Sequence, residues 1–160
     1  MGEKYGTDNN IFPSRILEKA PGLIEREERY WYQYSIVLKY LKNKIANRNI
    51  FSFFEMIGVR KVALYAITEF TEMICDDLKN AREDVEVTYL CDRNAAKFKN
   101  GYKGIPVVEV EALVKDYRDG KVEKVMVCSV FHVNEIMDDL ISKGVRAEDL
   151  VSVISVIFSL

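Results

Sequence analysis

The chain has 160 residues, 49% hydrophobic and 30% charged, a globular composition that excludes an intrinsically disordered chain. Twenty-three basic against twenty-five acidic side chains leave a net charge of −2, which excludes a nucleic-acid binder relying on bulk charge. Three cysteines (Cys75, Cys91 and Cys128) at no metal-ligand spacing, with a single His132, exclude a zinc site and fit a reducing cytoplasm.

The first twenty residues are polar and irregular, with one helical turn expected around Arg15 to Lys19 and no signal-peptide core. Pro21-Gly22 then opens a helix from about Leu23 to Ala46, free of Gly and Pro. Trp31, Tyr34, Leu38, Leu41 and Ile45 recur on one face, widened by Tyr30 and Val37. Acidic Glu25, Glu27 and Glu28 near its start and basic Lys39, Lys42 and Lys44 near its end suit the helix dipole. So apolar a stripe must be covered, either by packing on its own domain or, as preferred here, in a helix-mediated homodimer. A short helix from Ile50 to Ile57 stops at Gly58.

Beyond Gly58 the pattern becomes βαβ. Lys61–Tyr65 reads as a first strand, followed by a helix capped by Thr68 or Thr71, with Phe70, Ile74 and Leu78 on its inner face. Val85–Cys91 is a second strand, and Ile105–Val108 a third whose proline points to a strand start or sheet edge. Glu109–Tyr117 is helical and Asp119-Gly120 turns the chain. Lys124–Val130 is a fourth strand, and a helix through Val133, Ile136, Met137, Leu140 and Ile141 closes at Lys143-Gly144. The β-branched tail from Val151 reads as a fifth strand; its ten residues fall short of the roughly 20 that a helical membrane span needs. The expected fold is an α/β, Rossmann-like parallel five-stranded sheet of order 3-2-1-4-5, helices on both faces (59–160), preceded by an N-terminal helical segment (1–58). Ligands of such sheets bind at the carboxyl ends of the strands where the order reverses, here strands 1 and 4.

From about Tyr32 onward the sequence resembles Rossmann-like domains associated with bacterial surface-polysaccharide biosynthesis, found alone or fused to glycosyltransferases. The likeness lies in the aromatic-rich helix and in Phe53-Phe-Glu-Met-Ile-Gly-Val-Arg-Lys-Val-Ala-Leu-Tyr65. It continues in Tyr89-Leu-Cys-Asp-Arg-Asn94, Gly104-Ile-Pro-Val-Val108 and the Glu135-Ile-x-x-x-Leu140 helix. The resemblance implies the fold and, by analogy, binding of NAD or a nucleotide-sugar; it implies no reaction. One departure stands out. Where such domains carry a Gly-rich turn, this chain reads Tyr65-Ala66-Ile67-Thr68-Glu69-Phe70-Thr71.

The candidate site gathers Ala66, Ile67 and Thr68 of that turn, Asp92 and Arg93 after strand 2, and Ser129 and His132 after strand 4. Asp92, twenty-six residues past Ala66, stands where an acid takes ribose hydroxyls, or else where a turn aspartate bonds Asn94 and nearby backbone. Arg93, Lys97, Lys99 and Lys103, interleaved with Phe98 and Tyr102, read as a phosphate-and-base surface or as a solvated basic loop. His132 is an acid–base candidate or a half-exposed residue at a helix entry. Ala66, Thr68 and Thr71 replace the three fingerprint glycines, so NAD and NADP are not expected at ordinary affinity. The alanine suits a tight turn if its φ stays negative, and the two threonine hydroxyls leave room for a mononucleotide or nucleotide-sugar phosphate. Cys91 and Cys128 end non-adjacent strands, roughly 9–10 Å apart against the about 7 Å limit for a disulfide, and read as buried thiols. Asp76-Asp77 and Asp138-Asp139 read as solvated helix faces.

Three functions compete. The first is a non-catalytic or accessory nucleotide-sugar-binding module, cytoplasmic, with neither nucleic-acid nor membrane partners. The second is an oligomerisation module with a ligand-free dinucleotide fold. The third is an NAD-dependent oxidoreductase or epimerase, which wants Tyr-x-x-x-Lys by the crevice. That spacing occurs at Tyr117/Lys121, across a turn, and at Tyr40/Lys44, on the N-terminal helix; both read as accidents of composition. No catalytic residue and no metal ligand is assigned.

Overall fold

The computed structural model describes residues 26–78 and 84–160; the expected turn at Arg15 to Lys19 and the Pro21-Gly22 helix entry lie outside them. Helix α1 runs Arg26–Ile45 and α2 runs Ile50–Met56. The Asn49 side chain caps α2 by accepting from Phe51 N at 3.0 Å. Gly58 ends it at φ +73°, a value glycine reaches without strain, while Val59 N reaches back to Phe54 O at 2.9 Å.

Strand β1 (Lys61–Tyr65) leads to α3 (Glu69–Leu78), β2 (Glu86–Cys91), a 3-10 turn at Ala95–Phe98, and the short β3 (Val107–Val108). Then come α4 (Val110–Arg118), β4 (Lys124–Val127), α5 (Val133–Ser142), a 3-10 turn at Ala147–Asp149, β5 (Leu150–Ser152) and α6 (Val153–Ser159). All pairings are parallel, in the order β3-β2-β1-β4-β5. The topology is Rossmann-like.

Alternation along β1 builds two cores. Val62 and Leu64 join Ile36, Phe54, Ile74 and Ile157 on the face covered by α1, α2, α3 and α6. Ala63 and Tyr65 face α4 and α5, beside Leu113, Ile136 and Leu140.

Two expectations need correction. The tail does not continue as a strand: β5 ends at Ser152, whose hydroxyl caps α6 by accepting from Ser155 N at 2.9 Å. Val153, Val156 and Ile157 then bury one helical face, so spacing of three and four prevails over β-branched propensity. The inward face of α1 is likewise not the aromatic stripe. Ile36, Tyr40 and Asn43 are buried, and Asn43 Nδ2 donates to Ile157 O at 2.7 Å, while Trp31 is 69% and Ile45 84% exposed.

Candidate functional site

β1 is the central strand, and its carboxyl end meets the ends of β2 and β4. Ala66 N donates to Cys91 O at 2.9 Å and Cys128 N to Tyr65 O at 2.8 Å, so three strand ends converge on this turn. Ala66 takes φ +77°, the left-handed conformation that the first fingerprint glycine supplies, in place of the negative φ expected. Keeping alanine there costs about 1–2 kcal/mol of backbone energy, against which glycine's greater unfolded-state freedom weighs 0.5–1 kcal/mol, to order of magnitude. Ala66→Gly is therefore expected to stabilise the protein by about 0.5–1 kcal/mol in urea unfolding, and a loss of stability would refute the strain.

The two threonines lock the turn. Thr68 Oγ1 donates to Cys128 O at 3.0 Å and accepts from Thr71 N at 3.4 Å. Thr71 is fully buried; its Oγ1 donates to Ala66 O at 2.5 Å and accepts from Thr68 N at 3.1 Å. The pair acts as a reciprocal cap on α3 and a stitch between the β1 and β4 crossovers. Each hydroxyl has one hydrogen to give and gives it to a carbonyl, so neither has a donor left for a phosphate.

Asp92 completes the lock. Its Oδ2 accepts from Ile67 N at 2.9 Å and its Oδ1 from Asn94 N at 2.7 Å, which ties the β1 turn to the end of β2. Arg93 is exposed, and its guanidinium lies near the Tyr65 phenol and the charges of Glu135 and Asp139 on α5. Burial pushes the Tyr65 phenol above its ordinary value, and Arg93 opposes that shift. The Tyr65 hydroxyl is buried with no hydrogen bond of normal geometry. Ser129 is buried, and its Oγ accepts from His132 N at 3.2 Å in the turn that enters α5. The His132 ring is exposed, 3.3 Å from Glu135 Oε2.

The structure thus joins Ala66, Ile67, Thr68 and Asp92 in one hydrogen-bonded turn, with Ser129 beside the Cys128 carbonyl that Thr68 grips. Arg93 and His132 stand apart from it, toward the acidic start of α5. In the basic run, Lys103 is held by Asp76 at 2.8 Å and Glu72 at 3.1 Å, and Phe98 and Tyr102 pack edge to face at 5.7 Å. Sequence reasoning missed Phe131, which follows β4 and packs against Tyr32 of α1 beneath the Arg29 guanidinium, 5.4 Å above its ring.

The thiols offer no activated nucleophile. Cys75, Cys91 and Cys128 are buried and in no disulfide, and burial pushes the Cys128 thiol up to about 12 and Cys91 higher still. Among the described residues no cluster of His, Cys, Asp and Glu is placed to hold a metal, and no helix is long and apolar enough to cross a membrane.

At the opposite, amino-terminal edge lies a depression of about 590 Å³ lined by Tyr117, Lys124, Arg146 and Asp149. Three of its charges, on Lys124, Arg146 and Asp149, are paired with each other. Asp149 is buried and accepts from Tyr117 Oη at 2.6 Å, Arg146 Nη2 at 2.7 Å and Lys124 Nζ at 3.1 Å.

No family model matches this chain, and no curated protein matches it. Among solved structures it is similar to the UDP-D-quinovosamine 4-dehydrogenase of Vibrio fischeri, at 17% identity and a TM-score of 0.47 over 59% of this chain and 77% of that one. A likeness that faint carries no functional argument. The strand order and the residues of the turn carry it instead.

Proposed function

We propose that this chain is a non-catalytic Rossmann-like module, accessory to surface-polysaccharide assembly in the cytoplasm as the sequence resemblance implies. The observation that supports it is the self-saturated turn: the positions that would face a pyrophosphate are bonded to Cys128 O, Ala66 O and the Asp92 carboxylate. Threonine side chains also occupy the two places where fingerprint glycines let a pyrophosphate reach the backbone. NAD and NADP do not fit this turn, and no hydride-transfer step is derived through them. Both Tyr-x-x-x-Lys pairs are tied up elsewhere, Tyr117 on Asp149 and Lys121 on Asp116, Tyr40 and Lys44 on Asp77.

A second reading is favoured by one feature. The exposed Arg93, whose guanidinium lies beside the buried Tyr65 phenol, offers a cationic donor to an anionic ligand on the α5 side, outside the closed turn. A nucleotide-sugar diphosphate is the ligand expected there. Calorimetry separates the readings. NAD and NADP are expected to bind more weakly than about 10 μM, about −7 kcal/mol, and tighter binding would overturn the closed-turn reading. UDP-glucose binding that Arg93→Ala abolishes, with Ala66→Gly unaffected, would favour the second.

A further inference from the structure

Helix α1 carries two apolar faces. Ile36, Tyr40 and Asn43 pack inward, and the opposite face presents Trp31, Tyr34, Leu41 and Ile45, exposed by 69%, 57%, 47% and 84%, with Leu38 half-buried between them. The spacing of these five is three, four, three and four, an uninterrupted a/d seam across two heptads. Trp31 and Tyr34 already pack edge to face at 5.9 Å, which presets the seam's aromatic end.

We propose that this seam is the interface of a two-fold symmetric homodimer in which α1 lies antiparallel to α1 of a second copy. Three observations select that occupant. First, the a/d repeat is self-complementary: an antiparallel copy in register sets Trp31 against the second copy's Leu41, and Tyr34 against its Leu38. Second, charge favours antiparallel over parallel. In this register Glu28 near one end comes beside Lys42 of the second copy, whereas a parallel pair stacks like on like. Third, the area suffices. At roughly 150–250 Å² for each aromatic side chain, the exposed parts of the stripe amount to some 600 Å² per copy, near the about 800 Å² that standard interfaces bury per partner. The interface is independent of the closed turn and holds for either reading of the crevice.

The register makes a charge-swap test possible. The 160-residue chain at about 100 μM, far above the dissociation constant expected of such an interface, should sediment at twice the chain mass. Trp31→Glu and Leu41→Lys should each weaken dimerisation by a hundredfold or more, with the far-ultraviolet dichroism of the folded chain unchanged, since both side chains are exposed. The double variant should recover the dimer, because residue 31 then meets an opposite charge at residue 41 of the second copy. A wild-type monomer at that concentration overturns the proposal, whether the seam is bare or covered by residues 1–25 of the same chain. A dimer indifferent to both single variants overturns it as well. Failure of the double variant to recover overturns the antiparallel register.

Discussion

Replacing Asp77 with alanine is expected to destabilise the protein by about 3 kcal/mol, because it strips the bond between α1 and α3 at a buried point. Asp77 is 5% exposed; its carboxylate takes the Tyr40 hydroxyl on one oxygen and Lys44 Nζ, at 2.6 Å, on the other. Removing it leaves the phenol only the Met73 carbonyl oxygen, at 3.5 Å, as an acceptor. Tyr40→Phe should cost less, about 1–2 kcal/mol, since the lysine remains to hold the charge, and the double variant should cost less than the sum. Denaturant unfolding measures all three, and strict additivity would show that the pair is not coupled. The same contact has a signature in alkali. Burial, followed by the Asp77 hydrogen bond and its charge, raises the Tyr40 phenol far above its ordinary value. The folded state resists ionisation that the unfolded chain accepts. The contribution is therefore complete below about pH 10 and fades as the pH climbs beyond it. Tyr40→Phe should flatten that fall.

Asp149→Ala is the second large expectation, again about 3 kcal/mol, because three donors from three elements converge on one buried carboxylate. Tyr117 comes from α4, Lys124 from β4 and Arg146 from the turn before β5, so the group anchors an edge strand of only three residues. Burial alone would raise the carboxyl pKa, but the Tyr117, Arg146 and Lys124 hydrogen bonds outweigh it and leave the pKa lowered. The folded carboxyl thus gives up its proton more readily than the unfolded one. Its contribution is complete above about pH 4 and lost as the pH falls below that. Wild-type stability should drop in acid more steeply than that of Asp149→Asn, measured by urea unfolding at about pH 3 and pH 7. Parallel curves would overturn the assignment.

Sheet order, the central strand and the Gly58 stop were legible because short, continuous apolar runs alternate with amphipathic stretches from Lys61 onward. The tail was misread because Val151 to Phe158 is rich in β-branched residues. The signal against a strand was subtle: Ser152-x-x-Ser155, then apolar residues at 153, 156 and 157. Asp77 was read as solvated because its helix is acidic on its own account. Its partners lie thirty-three and thirty-seven positions back in the chain, and Tyr40 with Lys44 was dismissed as chance spacing. At the site, sequence supplied the place but not the state. The absent glycines were visible, whereas the positive φ at Ala66 and the exchange of hydrogen bonds between Thr68 and Thr71 depend on where Cys128 and Asp92 arrive in three dimensions.

The three buried thiols give the molecule an internal reporter of its own motions. Cys75 and Cys128 lie in the layer beneath α1, α3 and α6, and Cys91 lies in the layer beneath α4 and α5. A buried, protonated thiol is alkylated only when its surroundings open, so the labelling rate of each cysteine measures the free energy of a separate fluctuation. Cys128 follows the strand that Thr68 grips, and its exposure requires the β1–β4 junction to part. Cys75 needs only α3 to lift. Labelling followed by peptide mass analysis therefore resolves, without added probes, whether the two sides of the sheet breathe together or in turn.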